Sequence, residues 1–214
     1  MGISRGPSPI ITDGLVFCMD AGNSRSFPSG SSIANNIAVT KASNLTGSLI
    51  NNTVYSAEGG GSFQFDGTDD RVDCDTISNI LGAGNLENYS IECWVKSNGT
   101  PAGYSHVWCN KDTRWSTAGY AIVTHGSVGY MADGYWGSDT RVYPETDTHT
   151  TPGFTVWQNL MVTYDGSNVY IYSDGIKNSY TYATATTGPI DAADELFCIG
   201  GMDHALAGSD WNGW

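Results

Sequence analysis

Three carboxylates crowd into five residues at Asp66-Gly67-Thr68-Asp69-Asp70. Asp66, Asp69 and Asp70 offer only oxygen donors, and close-set oxygens are what a hard cation such as calcium requires. The spacing lacks the full ligand pattern of a helix–loop–helix calcium loop. The competing reading is an Asx turn, in which Asp66 caps its own backbone. A second group is aromatic: between Tyr104 and Tyr143 stand Trp108, Trp115, Tyr120, Tyr130, Tyr135 and Trp136. Aromatic rings stack on the apolar face of a sugar while Asp and Asn take its hydroxyls. Tyr135-Trp136-Gly137-Ser138-Asp139 reads as a loop, where large rings call for a contact. Trp115, Tyr135, Trp136 and Asp139 are therefore the candidate glycan-binding residues, with Tyr120 and Tyr130 assigned to the core.

Other chemistries find less support. The four histidines, His106, His125, His149 and His204, lack a nucleophile elbow and read as solvated loop residues. The five cysteines form no Cys-x-x-Cys pair, which argues against zinc. Their odd number argues against a disulfide framework. Cys18, Cys93 and Cys198 sit in apolar strand patterns and read as small core residues, so all five thiols are expected to be reduced. The formal net charge of −13 opposes phosphate backbones and anionic membranes as partners. Residues 1–7 carry no apolar run of the signal-peptide kind, which predicts retention in the compartment of synthesis or release by lysis.

The elements that must position these residues are strands. The chain has 214 residues, only 14% of them charged, with 27 glycines, a balance that favours a turn-rich β protein. Alternating or apolar runs at 15–20, 62–66, 89–96, 119–124, 127–131, 160–164, 169–172, 176–182 and 195–200 read as strands. Turn signals such as Asp66-Gly67, His125-Gly126 and Asp165-Gly166-Ser167-Asn168 separate them. Residues 22–52 read mostly as loop with one weak strand, and 76–81 as at most two helical turns. Regularly spaced short strands predict one antiparallel sandwich over residues 11–214, preceded by an extended arm over 1–10 that Pro7 and Pro9 stiffen.

Several segments resemble laminin-G-like domains of the concanavalin A-like superfamily, in the same order. They are Asp13-Gly14-Leu15-Val16-Phe17-Cys18-Met19-Asp20-Ala21-Gly22-Asn23, Phe65-Asp66-Gly67-Thr68-Asp69-Asp70-Arg71-Val72, Ser90-Ile91-Glu92-Cys93-Trp94-Val95-Lys96, Trp157 through Gly166, and Ile199-Gly200-Gly201. The first looks like the opening of such domains in tailed-phage structural proteins. The resemblance implies an all-β, antiparallel two-sheet jelly-roll sandwich, with Trp94 and Trp157 in the core. It implies a virion structural protein that meets other virion proteins, its own copies and a host surface glycan. The alternative is a non-catalytic carbohydrate-binding module. Glycan hydrolases resembling this fold carry Glu-x-Asp-x-x-Glu; here Glu145-Thr146-Asp147 lacks the second Glu, so no enzyme activity is expected. Laminin-G-like domains often hold calcium on a sandwich edge. They also usually close with a return strand beside the first strand. Trp211-Asn212-Gly213-Trp214 resembles only its opening, so Leu15 to Asp20 is expected to lack its usual partner and to be covered instead by a neighbouring subunit, by a different strand of this chain or by residues beyond this sequence.

Overall fold

A computed structural model of the chain describes residues 13–38, 45–76, 80, 88–99, 105–110, 120–124, 130–135, 139–142, 155–165, 168–178, 196–202 and 212–213. Its strands in chain order are β1 (Ile33–Asn35), β2 (Thr46–Ile50), β3 (Val54–Ser56), β4 (Ser62–Asp66), β5 (Arg71–Thr76), β6 (Tyr89–Val95), β7 (His106–Cys109) and β8 (Tyr120–Thr124). Then come β9 (Tyr130–Tyr135), β10 (Asp139–Val142), β11 (Gln158–Tyr164), β12 (Val169–Ser173), β13 (Ile176–Asn178), β14 (Leu196–Ile199) and β15 (Asn212–Gly213). A 3-10 turn, Glu58–Gly60, precedes β4.

The strands form a large sheet, β1-β2-β5-β14-β7-β8-β9-β10, and a smaller one, β13-β12-β11-β6. A third ladder, β15-β4-β3, meets the end of the small sheet where Gly213 bridges Ser97. The pairings are antiparallel. This is the expected jelly-roll sandwich.

The core lies between the sheets. Phe65, Val72, Trp108, Ile122 and Phe197 meet Leu160, Val162, Tyr164, Ile171 and Val95 there, all buried. Alternation puts every second residue of a strand on the opposite face. It places Cys109, Ala121, Val123 and Cys198 in a second buried cluster behind the large sheet, joined by Met202. Gly200 shows why the Ile199-Gly200-Gly201 motif needs its glycine. A Cβ there would stand 2.4 Å from the Phe65 ring, and its φ of +85° disfavours a side chain. All five cysteines are free thiols. Burial pushes the Cys93 thiol up to about 12, with the Glu92 charge adding to it, and raises Cys74 and Cys198 further still.

Several expectations need correction. Leu15 to Asp20 is not a strand. The side chain of buried Asn36 takes the place of a partner: its Oδ1 accepts from the Cys18 N–H at 2.8 Å and its Nδ2 donates to the Val16 carbonyl at 3.1 Å. The Cys18 carbonyl accepts from the Ile37 N–H. Asn212 and Gly213 pair with Asp66 and Phe65 of β4, not with this segment. Residues 22–52 hold two strands, β1 and β2, where one weak strand was expected. His106 is buried in β7 at 1% exposure, not solvated. Trp94 is 62% exposed, not core.

The arm at 1–10, the turn at His125-Gly126, and the three histidines His125, His149 and His204 lie outside the described residues. So do Glu145 and Asp147.

Leu160→Ala is expected to lower unfolding free energy by about 2–5 kcal/mol, as truncation of a fully buried leucine does. Trp94→Ala should cost less than about 1 kcal/mol, as at an open surface position. Urea titration of both variants checks the contrast; equal losses would place Trp94 back in the core. Thiol titration of freshly purified, denatured, unreduced protein should count five.

Candidate functional site

The turn between β4 and β5 brings Asp66, Asp69 and Asp70 together, with one carboxylate oxygen of each within 4.8 Å of the others. The local hydrogen bonds show what builds it. Asp66 Oδ1 accepts from the Thr68 N–H at 2.8 Å, which is the Asx turn. Asp70 is 2% exposed, and its two oxygens accept from the Asn52 N–H at 2.8 Å and the Asp66 N–H at 3.1 Å. The Asn51 amide donates to the Asp69 carbonyl. Burial raises the Asp70 carboxyl above the ordinary 3.8; the two backbone donors oppose this, and the charges of Asp66 and Asp69 add to it. The donor set is all carboxylate and could hold a hard cation. Asp70, however, already ties the turn to the loop before β3.

The aromatic candidates fare differently. Trp115 and Trp136 lie outside the described residues. Tyr135 closes β9 and Asp139 opens β10, and the two are cross-strand partners. Both ends of the segment read as a loop are thus strand residues, while residues 136–138 lie outside the described residues. Tyr130 and Trp108 are buried core residues, at 4% and 2% exposure.

The outward face of the small sheet carries a group that the sequence reading placed elsewhere. Along β6, Tyr89 and Val95 are buried with Ile91 and Cys93 packed on the core, while Ser90, Glu92 and Trp94 point out. Along β11, Asn159, Met161 and Thr163 alternate with buried neighbours, as Tyr170 and Tyr172 do along β12. Register then sets the rows. Trp94 lies opposite Asn159, and Glu92 opposite Met161, which lies opposite Tyr172. Lys177 completes that second row beside Tyr172.

Hydrogen bonds fix the polar part of this face. The Asn159 amide donates to Glu92 Oε1 at 2.8 Å, and the Asn159 N–H donates to Asp174 Oδ1 at 2.9 Å. Lys177 Nζ sits 3.5 Å over the centre of the Tyr170 ring. At the end of the face Lys96 pairs with Glu58, and the Trp157 ring lies so close to Gly59 that a Cβ would come within 2.7 Å of it. The 3-10 turn therefore covers Trp157 and leaves Trp94 open. What results is an outward strand face with an open indole beside the Glu92–Asn159 pair.

No protein-family model matches the chain, and no curated protein matches it. Solved structures do resemble it. One is the receptor binding domain of botulinum neurotoxin D, with a TM-score of 0.56 and 14% identity over 84% of this chain and 47% of that one. This chain thus spans about half the length of that match. Another is domain 4 of AbnA, a GH43 extracellular arabinanase from Geobacillus stearothermophilus, in complex with arabinotriose, with a TM-score of 0.42 and 14% identity over 76% and 71% of the two chains. A third is the carbohydrate-binding module CBM66 from Bacillus subtilis, with a TM-score of 0.38 and 11% identity over 72% and 90%. At such identities the botulinum likeness shows the shared β-sandwich fold alone.

Asp70 makes stability depend on pH with a definite sign. Its carboxyl is raised in the fold, so its contribution is complete below 3.8 and is lost as pH climbs through the raised native value. Asp70→Asn should remove that part of the decline. Asp70→Ala should cost about 1–3 kcal/mol at any pH, because two buried amides lose their acceptor. Unfolding midpoints from pH 3 to pH 7 for the three proteins test this. Parallel curves for wild type and the Asn variant would refute it.

Proposed function

We propose that this is a glycan-recognition domain that binds without hydrolysing, and that its binding surface is the outward face of β6, β11 and β12. One observation carries the reading. Trp94, a large aromatic 62% exposed on a rigid strand, lies beside a fixed Glu92–Asn159 pair. An open ring stacks on the apolar face of a sugar, and the adjoining amide and carboxylate take hydroxyls. Neither group needs to move to do so. Trp115, Tyr135, Trp136 and Asp139 remain a second proposed set of contact residues.

Display on a tailed-phage virion, among other virion proteins and copies of itself, rests on the resemblance of residues 13–23 and 65–72. Labelling of intact particles with antibody to the domain would test it; particles free of label would overturn it. Calcium at Asp66, Asp69 and Asp70 is proposed as a structural ion, expected to raise the melting temperature at millimolar concentration relative to chelator. An unchanged melting temperature would overturn it.

Binding is tested on a glycan array followed by calorimetry. Trp94→Ala should lower affinity for any glycan bound by roughly fivefold or more, a stacking contribution of about 1 kcal/mol or more. Its melting curve should stay close to wild type. Wild-type protein that retains no glycan would overturn the reading, as would a Trp94→Ala variant that binds equally well.

A further inference from the structure

The same face also indicates what shape and charge of glycan it would take. This inference rests on the glycan-recognition reading above. Trp94 and Tyr172 both point outward, on β6 and β12, with β11 between them. They are offset by two residues, because Trp94 faces Asn159 while Tyr172 faces Met161. Two interstrand steps of about 4.8 Å and two residue steps of about 3.4 Å set their Cα atoms roughly 12 Å apart. That is wider than one sugar ring. Met161 lies between them as an apolar floor, with the Glu92–Asn159 pair beside it.

Tyr170 does not extend the platform, because the Lys177 ammonium covers its ring. The 3-10 turn closes the other end at Trp157. The open surface is therefore a diagonal track from Trp94 to Tyr172, with a ring at each end and hydrogen-bonding groups along it.

Its charge narrows the ligand further. Glu92 stands two residues from Trp94 on β6 and Asp174 across β11 from it, both bonded to Asn159. Among the described residues the two cations of this face are already engaged, Lys96 with Glu58 and Lys177 with the Tyr170 ring. The whole chain carries a net charge of −13. Carboxylate or sulfate groups on a ligand would meet like charge, whereas hydroxyls would find acceptors. Among the described residues the track is built from the outward faces of β6, β11 and β12, an open run that suits the interior of a chain better than its end.

We infer that this face binds the interior of an uncharged, unbranched polysaccharide, laid from Trp94 to Tyr172 across at least three sugar units. The probes are neutral linear oligosaccharides of one to six units from the gluco-, xylo-, manno-, arabino- and chito- series. Oligogalacturonates and sulfated oligosaccharides of matching length are the charged comparison. Affinity for at least one neutral series should rise at least tenfold from one unit to four and then level off, and the charged series should bind more weakly.

Tyr172→Ala should lower affinity for the tetramer at least threefold, and by a larger factor than it lowers affinity for the single sugar. Trp94→Ala should weaken both. Binding that depends on Trp94 but not on length, or that survives Tyr172→Ala, overturns this inference and leaves glycan recognition standing. Tighter binding of the charged series overturns it likewise. Failure of every probe to bind overturns both. Circular dichroism of each variant excludes misfolding as the cause.

Discussion

The register between β6 and β11 is the constraint on which the small sheet depends. Tyr89 to Val95 pairs residue for residue with Gln158 to Tyr164. A slip of one residue in either strand would turn all its side chains to the other face. Leu160, Val162 and Tyr164 would then enter water, and Trp94 and Glu92 would enter the core. Burial of the aliphatic and aromatic set on one face thus holds the register. The register in turn holds Trp94, Asn159 and Glu92 side by side. Stability and the proposed binding surface come from one alternation, read from its two sides.

The fold was legible because alternation and turn chemistry are local. Phe63 and Phe65 with the following Asp66-Gly67 marked β4 and its turn, and Asp165 to Asn168 marked the β11–β12 hairpin. There the Asn168 N–H does donate to Asp165 Oδ1 at 2.7 Å. What misled was reading a residue by type instead of by parity. In Ser90-Ile91-Glu92-Cys93-Trp94-Val95-Lys96, Trp94 shares its parity with Ser90, Glu92 and Lys96, the polar set. The signal that it faces water was present in the strand itself. Its size and the family resemblance outweighed that signal. Trp157 shows why parity alone is still insufficient: it shares the outward parity of Asn159 and Met161, yet a turn from a distant segment covers it.

Segments whose partners are distant side chains were not legible in this way. Leu15 to Asp20 has the apolar content of a strand, and Val16, Phe17 and Met19 do pack on the core. A strand, however, needs a run of neighbouring backbone, and here the neighbours are the Ile37 N–H and the side-chain amide of Asn36, eighteen residues from Cys18. No period in the sequence announces such a substitution. The carboxylates of the β4–β5 turn were legible as a group, and the structure does bring them together. That Asp70 would spend both oxygens on backbone amides depends on where residue 52 lies, which is tertiary information.

A flat, rigid surface suits weak chemistry made selective by geometry. Each stacking contact is small, and each hydroxyl bond displaces water that was nearly as well bound. Net affinity then depends on how little must be ordered when the ligand arrives. Trp94 stands on a strand paired along its length with β11, Asn159 is held through both its backbone and its amide, and Glu92 is held by Asn159. These groups are already in place before binding, so little side-chain freedom remains to be lost. A surface this open cannot enclose a ligand, and its selectivity must come from the spacing of rings and the sign of its charge. In the proposed reading both are set by the strand ladder and by which of the described cations are already paired.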